Sequence, residues 1–144
     1  MAKEGVFLKI CGVVAEFNPF HNGHKHFIDT IKSNENTAVV AVMSGNFVQR
    51  GEPAIISKFA RAKAAVLNGV DLVLELPLPY SISTAMYFAG GAIDILNSFG
   101  VIDTICFGSE TADLNQLKNT AKLLGSDELR TALKNHLDTG ISFA

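Results

Sequence analysis

Two histidines three residues apart, His21 and His24, with Gly23 between them, directly follow an apolar run from Ile10 to Ala15. In a chain with this content of histidine and glycine, the pattern H-x-G-H arises by accident about 1 % of the time. The stretch Glu16-Phe17-Asn18-Pro19-Phe20-His21-Asn22-Gly23-His24 reads as the junction of a buried strand with a helix, where α/β sheets receive phosphate groups. Gly23 lets backbone approach an anion closely, and a helix starting around Asn22 offers free N–H groups and partial positive charge. Imidazoles one turn apart can both donate to phosphate oxygens as charge builds during attack at the α-phosphorus. Electrostatic stabilisation, rather than covalent catalysis, is the chemistry expected. His26 and His136 lack such a setting and read as surface or satisfied core histidines. A metal centre is the other reading of the pair. No H-E-x-x-H, C-x-x-C or suitably spaced third ligand supports it, so zinc is not expected.

Such residues need a scaffold that gathers them at one edge. Phe7 to Ala15 reads as a strand, Gly23 to Lys32 as a helix, and Thr37 to Met43 as a second strand before the loop signal Ser44-Gly45-Asn46. Phe47 to Ile56 reads as an irregular loop, and Ser57 can cap a helix ending near Asn68, with Gly69 beyond it. Asp71 to Leu76 is a third strand, stopped by Pro77 and Pro79. Ser83 to Ser98 is helical, with Met86, Ala89, Ile93 and Leu96 on one face. Its Gly90-Gly91 pair costs about 1 kcal/mol each against alanine and points to close packing. Asp103 to Phe107 is a fourth strand, followed by helices over Asp113 to Leu124 and Asp127 to Leu137. Alternating strands and helices predict an α/β fold: a Rossmann-like, doubly wound parallel sheet lacking its last strand, in one domain over residues 1–144.

Bulk properties narrow the partners. Apolar residues make up 48 % and charged residues 18 % of the chain, which excludes a disordered protein. No apolar stretch is long enough to span a bilayer, and Met1 to Gly5 carries an acid but no signal-like core, so no membrane is expected. Cys11 and Cys106 fall in predicted strands and suit reduced, buried thiols of a cytoplasmic protein, although neighbouring strands would let them pair. The net charge of −2, with dispersed basic residues, favours a small anionic ligand over a polynucleotide held by this segment alone. The ending Gly140-Ile141-Ser142-Phe143-Ala144 has no closing element, so the chain reads as the N-terminal part of a longer one.

In a parallel sheet the carboxyl ends of all strands share an edge. Ser44 and Asn46 there are either a turn or ligand contacts. Arg50, Lys58 and Arg61 are either solvated charges or groups directed at phosphates or an acid substrate. Glu75 and Glu110 either hold Mg²⁺ waters or a ribose, or act as cap and loop carboxylates. Asp94 and Asp103 read as structural.

With these residues in place, the chain resembles the HIGH-type nucleotidyltransferase superfamily. Within it, the chain is similar to the N-terminal catalytic domain of the bacterial tRNA(Met) cytidine acetate ligases. The segments that carry the likeness are GVVAEFNPFHNGH at Gly12 to His24, VAVMSGNFVQRGEPAIISKFARA at Val40 to Ala62, NGVDLVLELPLPYS at Asn68 to Ser81, and FGSE at Phe107 to Glu110. H-x-G-H alone is widely shared, whereas SGNFVQRGEPA and ELP are more specific. The resemblance implies that acetate and ATP form acetyl-adenylate, and that the acetyl group passes to N4 of the wobble cytidine of elongator tRNA(Met), with Mg²⁺ escorting the triphosphate. It implies catalytic roles for His21 and His24. It also implies an ATP site of Val14, Ala15, Glu16, Phe17, Asn18, Pro19, Phe20, His21, Asn22, Gly23, His24, Lys25, His26, Phe27 and Gly108; Ser44, Asn46 and Arg50 are substrate candidates. Where the family commonly has a third histidine, three residues after the second, this chain has Phe27. Family members continue past residue 144, into an ISSTxxR-like segment and a helical region implicated in holding tRNA, so this segment alone is expected to ligate poorly. A cofactor-making nucleotidyltransferase and a non-catalytic nucleotide-binding module are the competing functions.

Overall fold

A computed structural model describes residues 7–33, 36–49 and 51–140. The strands are β1 (Lys9–Ala15), β2 (Thr37–Ser44), β3 (Leu72–Leu76) and β4 (Thr104–Cys106). The helices are α1 (Asn22–Lys32), α2 (Lys58–Leu67), α3 (Leu78–Ser81), α4 (Ala85–Ser98), α5 (Leu114–Leu124) and α6 (Asp127–Leu137). All strand pairs are parallel, in the order β3-β2-β1-β4. The chain divides into two units, Met1–Phe107 and Gly108–Ala144.

In the first unit the strands are apolar on both faces, so each side of the sheet must be covered. Cys11, Val13, Val39, Ala41 and Met43 face Ile28 and Ile31 of α1 and Ala65 of α2. The alternate residues Val40 and Val42, with Leu76, face Phe88, Ala92 and Leu96 of α4. The sheet is therefore doubly wound, and the order reverses between β1 and β4, the switch point where such sheets bind ligands. Two aspartates close the opposite edge. Asp71 accepts the Val39 N–H at 2.7 Å and Asp103 accepts the Ile10 N–H at 2.8 Å. Asp103 is thus structural, as expected.

Three local expectations change. The buried face of α4 is Phe88, Gly91, Ala92 and Leu96, while Met86 is 72 % exposed. Leu96 is buried as expected, but Phe88, Gly91 and Ala92 take the places of Met86, Ala89 and Ile93 on the buried face. Pro77 does not simply end the chain's regular structure: it caps the short helix α3, where the fixed φ of Pro79 suits the first turn. Cys11 and Cys106 form a pair across β1 and β4, with Cα atoms 6.4 Å apart, rather than two separate thiols. The parallel register makes them diagonal neighbours, which the sequence alone left open.

The adjacent glycines of α4 separate cleanly. A Cβ on Gly91 would meet the Tyr80 ring at 2.5 Å, whereas one on Gly90 would meet nothing within 4 Å. Gly90→Ala is expected to stabilise the fold by about 0.5–1 kcal/mol through helix propensity. Gly91→Ala is expected to destabilise it by about 1–3 kcal/mol through overpacking. Urea denaturation of both variants checks the opposite signs.

The second unit is a helical pair. Asp113 caps α5 through the Asn115 and Gln116 N–H groups, and Ser126 caps α6 through that of Leu129. Neither helix has a buried residue.

Candidate functional site

The chain leaves β1 through Phe17, whose φ of 48° lies in the left-handed region and whose side chain is 1 % exposed in the core. A bulky residue there is sterically disfavoured, and burial of its ring holds the turn. Helix α1 then starts with imidazoles doing what a hydroxyl and a carboxylate do in a capping box. His21 Nδ1 accepts the Gly23 N–H at 3.1 Å, and His24 Nδ1 accepts the His21 N–H at 3.3 Å. An accepting Nδ1 carries no proton, so each neutral ring carries its proton on Nε2. The rings stack with centroids 3.7 Å apart. The helix start therefore presents two Nε2–H donors held by backbone.

Gly23 serves this arrangement directly. A Cβ there would sit 3.0 Å from His21 Cε1 and 3.1 Å from its Nδ1. The missing side chain makes room for the His21 ring, a role beyond the close phosphate approach expected from sequence.

His24 is wedged between Phe17 and Phe20, with centroids 5.0 and 5.5 Å away. Burial in this cluster, and secondarily the charge of His21, hold its pKa below the ordinary value of 6.5. The unfolded chain then binds the proton more readily than the folded one. The stability linked to His24 is complete above about pH 6.5 and is lost as pH falls through the lower folded value. An NMR titration is expected to place the His24 midpoint below 6.5, and His21→Gln to raise it only partly. A midpoint at or above 6.5 would contradict the burial argument.

The loop after β2 is tied onto this turn. Glu16 Oε1 accepts the Gln49 N–H at 2.7 Å, and Asn18 Oδ1 accepts the Ile55 N–H at 2.8 Å. The side chains of both ATP-site candidates are thus engaged in holding the loop. Inside the loop, Phe47 bridges Pro53, and Val48 N–H donates to Glu52 O at 3.0 Å, so the stretch is more ordered than expected. Lys58 and Glu75 pair with each other at 2.6 Å. Neither Lys58 as a free phosphate-directed charge nor Glu75 as a free metal or ribose ligand describes that arrangement.

Arg61 is fully buried, not a solvated charge. It donates to the carbonyls of Ile56 at 3.2 Å, of Glu16 at 2.6 Å, and of Gly45. Burial presses its pKa down, and Glu16 and Glu75 oppose that. The signal for it lay in helical spacing: Arg61 and Ala65 share the buried face of α2.

Of the substrate candidates, Asn46 is exposed and lines a hollow of about 130 Å³ with Gly45, Phe47, Glu75, Leu76, Leu78 and Ser81. Ser44 is fully buried, and its hydroxyl has no partner among the described residues. Arg50 lies outside the described residues. A larger hollow of about 310 Å³ runs between Ile93 and Ile105 and touches none of these groups.

The other candidates divide by role. Val14 and Ala15 pack against opposite cores, as Phe20 and Phe27 do against the first. Pro19 and Asn22 are exposed beside the histidines. Lys25 pairs with Asp29 one turn on, and His26 is exposed on α1. Gly108 and Glu110 are exposed residues of the second unit. Among the described residues no group of three His, Cys, Asp or Glu side chains is placed to hold a metal ion. No helix among them is long and apolar enough to cross a membrane.

Comparison with known proteins gives the family. The family described as HIGH Nucleotidyl Transferase matches residues 8–144. The tRNA(Met) cytidine acetate ligase of Caldicellulosiruptor bescii is 50 % identical over 139 residues, covering 94 % of this chain and 34 % of that protein. The protein of the same name from Clostridium kluyveri is 49 % identical over 140 residues, covering 95 % and 34 %. A crystal structure of Thermotoga maritima TmcAL bound with alpha-thio ATP superposes with a TM-score of 0.84 at 45 % identity, covering 94 % of this chain and 34 % of that one. Its apo form gives 0.85 at 46 %, covering 94 % and 33 %. The chain thus spans about a third of the length of the relatives it matches. The switch-point sheet, the paired histidines and the match over nearly the whole sequence agree, and the chain belongs to the HIGH nucleotidyl transferase family.

Proposed function

We propose that this chain forms the ATP-binding part of a ligase that activates acetate for transfer to cytidine of tRNA(Met). The observation that carries this reading is the pair of Nε2–H donors at the start of α1. The names of relatives about half identical in sequence, and the ATP analogue on a structural neighbour, supply the substrates. Val14 to Phe27 form the nucleotide site in this reading.

An acetate oxygen attacks the α-phosphorus, the bond to the α,β-bridging oxygen breaks, and pyrophosphate leaves with the electron pair. His21 and His24 donate to the oxygens on which charge accumulates, and the positive end of α1 adds to the same field. No cluster of described side chains is placed to hold Mg²⁺, so the ion would arrive with the triphosphate and would supply charge neutralisation there. The cytidine N4 amine then attacks the acyl carbon, AMP departs, and the amine proton passes to water. The hollow beside Asn46 is the candidate seat of acetate, and Ser44 ends the strand that leads to it. Action on tRNA goes with a cytoplasmic protein in this reading.

The test uses full-length protein, labelled ATP and acetate, with and without tRNA(Met). Acetate-dependent ATP–pyrophosphate exchange without tRNA, and acetyl transfer only with it, are expected. Pyrophosphate release that ignores acetate would assign the chain to a different nucleotidyltransferase. Nucleotide binding without turnover would make it a binding module.

A further inference from the structure

The buried guanidinium of Arg61 draws three carbonyls from three separate segments towards itself: Glu16 after β1, Gly45 after β2, and Ile56 before α2. A trans peptide is planar, so its N–H points away from its C=O. With the Glu16 and Gly45 oxygens turned to Arg61, the N–H groups of Phe17 and Asn46 point away from the guanidinium. Neither N–H has a backbone or side-chain acceptor among the described residues. Backbone donors at buried positions are almost always paired, and Phe17 is a buried residue. The unpaired Phe17 N–H, at a buried residue, therefore needs an acceptor from outside the chain, and the N–H of exposed Asn46, at the end of the adjacent strand, is open to one.

We propose that Arg61 is a positioning residue that presets the Phe17 and Asn46 peptides as donors to an anionic oxygen of the bound substrates. The inference rests on the ATP reading above and adds the device that aims the backbone. Arg61 itself touches no substrate. Its planar fork reaches several carbonyls at once, which a lysine ammonium, a single point of donation on a flexible stem, does not reproduce. Preset donors act where charge builds in the transition state, so losing them lowers kcat more than it weakens nucleotide binding.

The experiment has two arms, both on full-length protein. In the first, Arg61→Lys is compared with wild type in acetate-dependent ATP–pyrophosphate exchange, with the folded fraction measured by circular dichroism. A folded variant is expected to lose about tenfold in kcat while KM for ATP moves less than threefold. Unchanged kcat per folded molecule would overturn the proposal, since a purely structural role lowers only the folded fraction. The second arm needs no variant. Glu16-Phe17 and Gly45-Asn46 are the Glu-Phe and Gly-Asn steps of this chain, so paired carbonyl and amide labelling marks these two amides for NMR, and the loss of one signal each in Phe17→Leu and Asn46→Asp identifies them in the full-length protein. ATP with acetate is expected to shift both amide signals downfield in wild type. Binding of ATP that leaves both signals in place overturns the role of Arg61 while the ATP reading stands. Failure of wild type to bind ATP overturns both.

Discussion

His24→Gln in the full-length protein is expected to lower acetate-dependent ATP–pyrophosphate exchange about a hundredfold, ~2.7 kcal/mol of transition-state stabilisation. His24 has two separable jobs. Its Nδ1 accepts the His21 N–H and closes the capping box, while its Nε2–H remains to meet a developing negative charge. Glutamine at the same helical position can also reach back to the capping residue's N–H. The substitution thus keeps the cap and removes the aimed imidazole donor. The melting temperature is expected to stay near that of wild type while turnover falls. His24→Ala removes both jobs, so it is expected to lose comparable activity and also about 1 kcal/mol of stability. A loss of less than threefold in His24→Gln would remove His24 from the chemistry and leave it a cap alone.

Gly23→Ala is expected to reduce kcat/KM for ATP about thirtyfold, ~2 kcal/mol, although no ionisable group is removed. The new Cβ would lie 3.0 and 3.1 Å from two atoms of the His21 ring, tighter than ordinary van der Waals contact. The ring must give way by a few tenths of an ångström, which strains its bond with the Gly23 N–H and shifts it against His24. Helix propensity favours alanine and offsets part of the lost cap, so the change in stability is expected to be small. A double-mutant cycle isolates the mechanism. Adding His21→Ala to Gly23→Ala is expected to cost little further activity, because the ring is already displaced. Full additivity of the two losses would show that Gly23 acts independently of His21, through the approach of backbone to phosphate.

The two predictions treat different atoms of one device, and their legibility in sequence differed accordingly. The H-x-G-H spacing announced that both imidazoles belong together at a helix start, because residues three apart share one helical turn. It did not announce that they cap the helix themselves. The roles of Glu16, Asn18 and Arg61 were hidden more deeply. Each is a polar side chain in the region where ligands bind, and composition reads such a group as a ligand contact or a solvated charge. Their partners, the backbone groups of Gln49, Ile55 and Gly45, lie 33, 37 and 16 residues away. Lys58 and Glu75 were legible as charges but not as each other's partner, 17 residues apart.

Periodicity and punctuation in the sequence were enough to determine the alternating strands and helices, the parallel doubly wound sheet, and the histidine pair at the mouth of its first strand. Those features depend on local propensity and on which residues avoid water, and both are written into short windows of chain. Tertiary structure alone decided which face of α4 is buried, that Cys11 meets Cys106, and that a buried arginine gathers the loops. Each of these depends on strand register and on carbonyls brought together from distant segments, and no short window contains both partners.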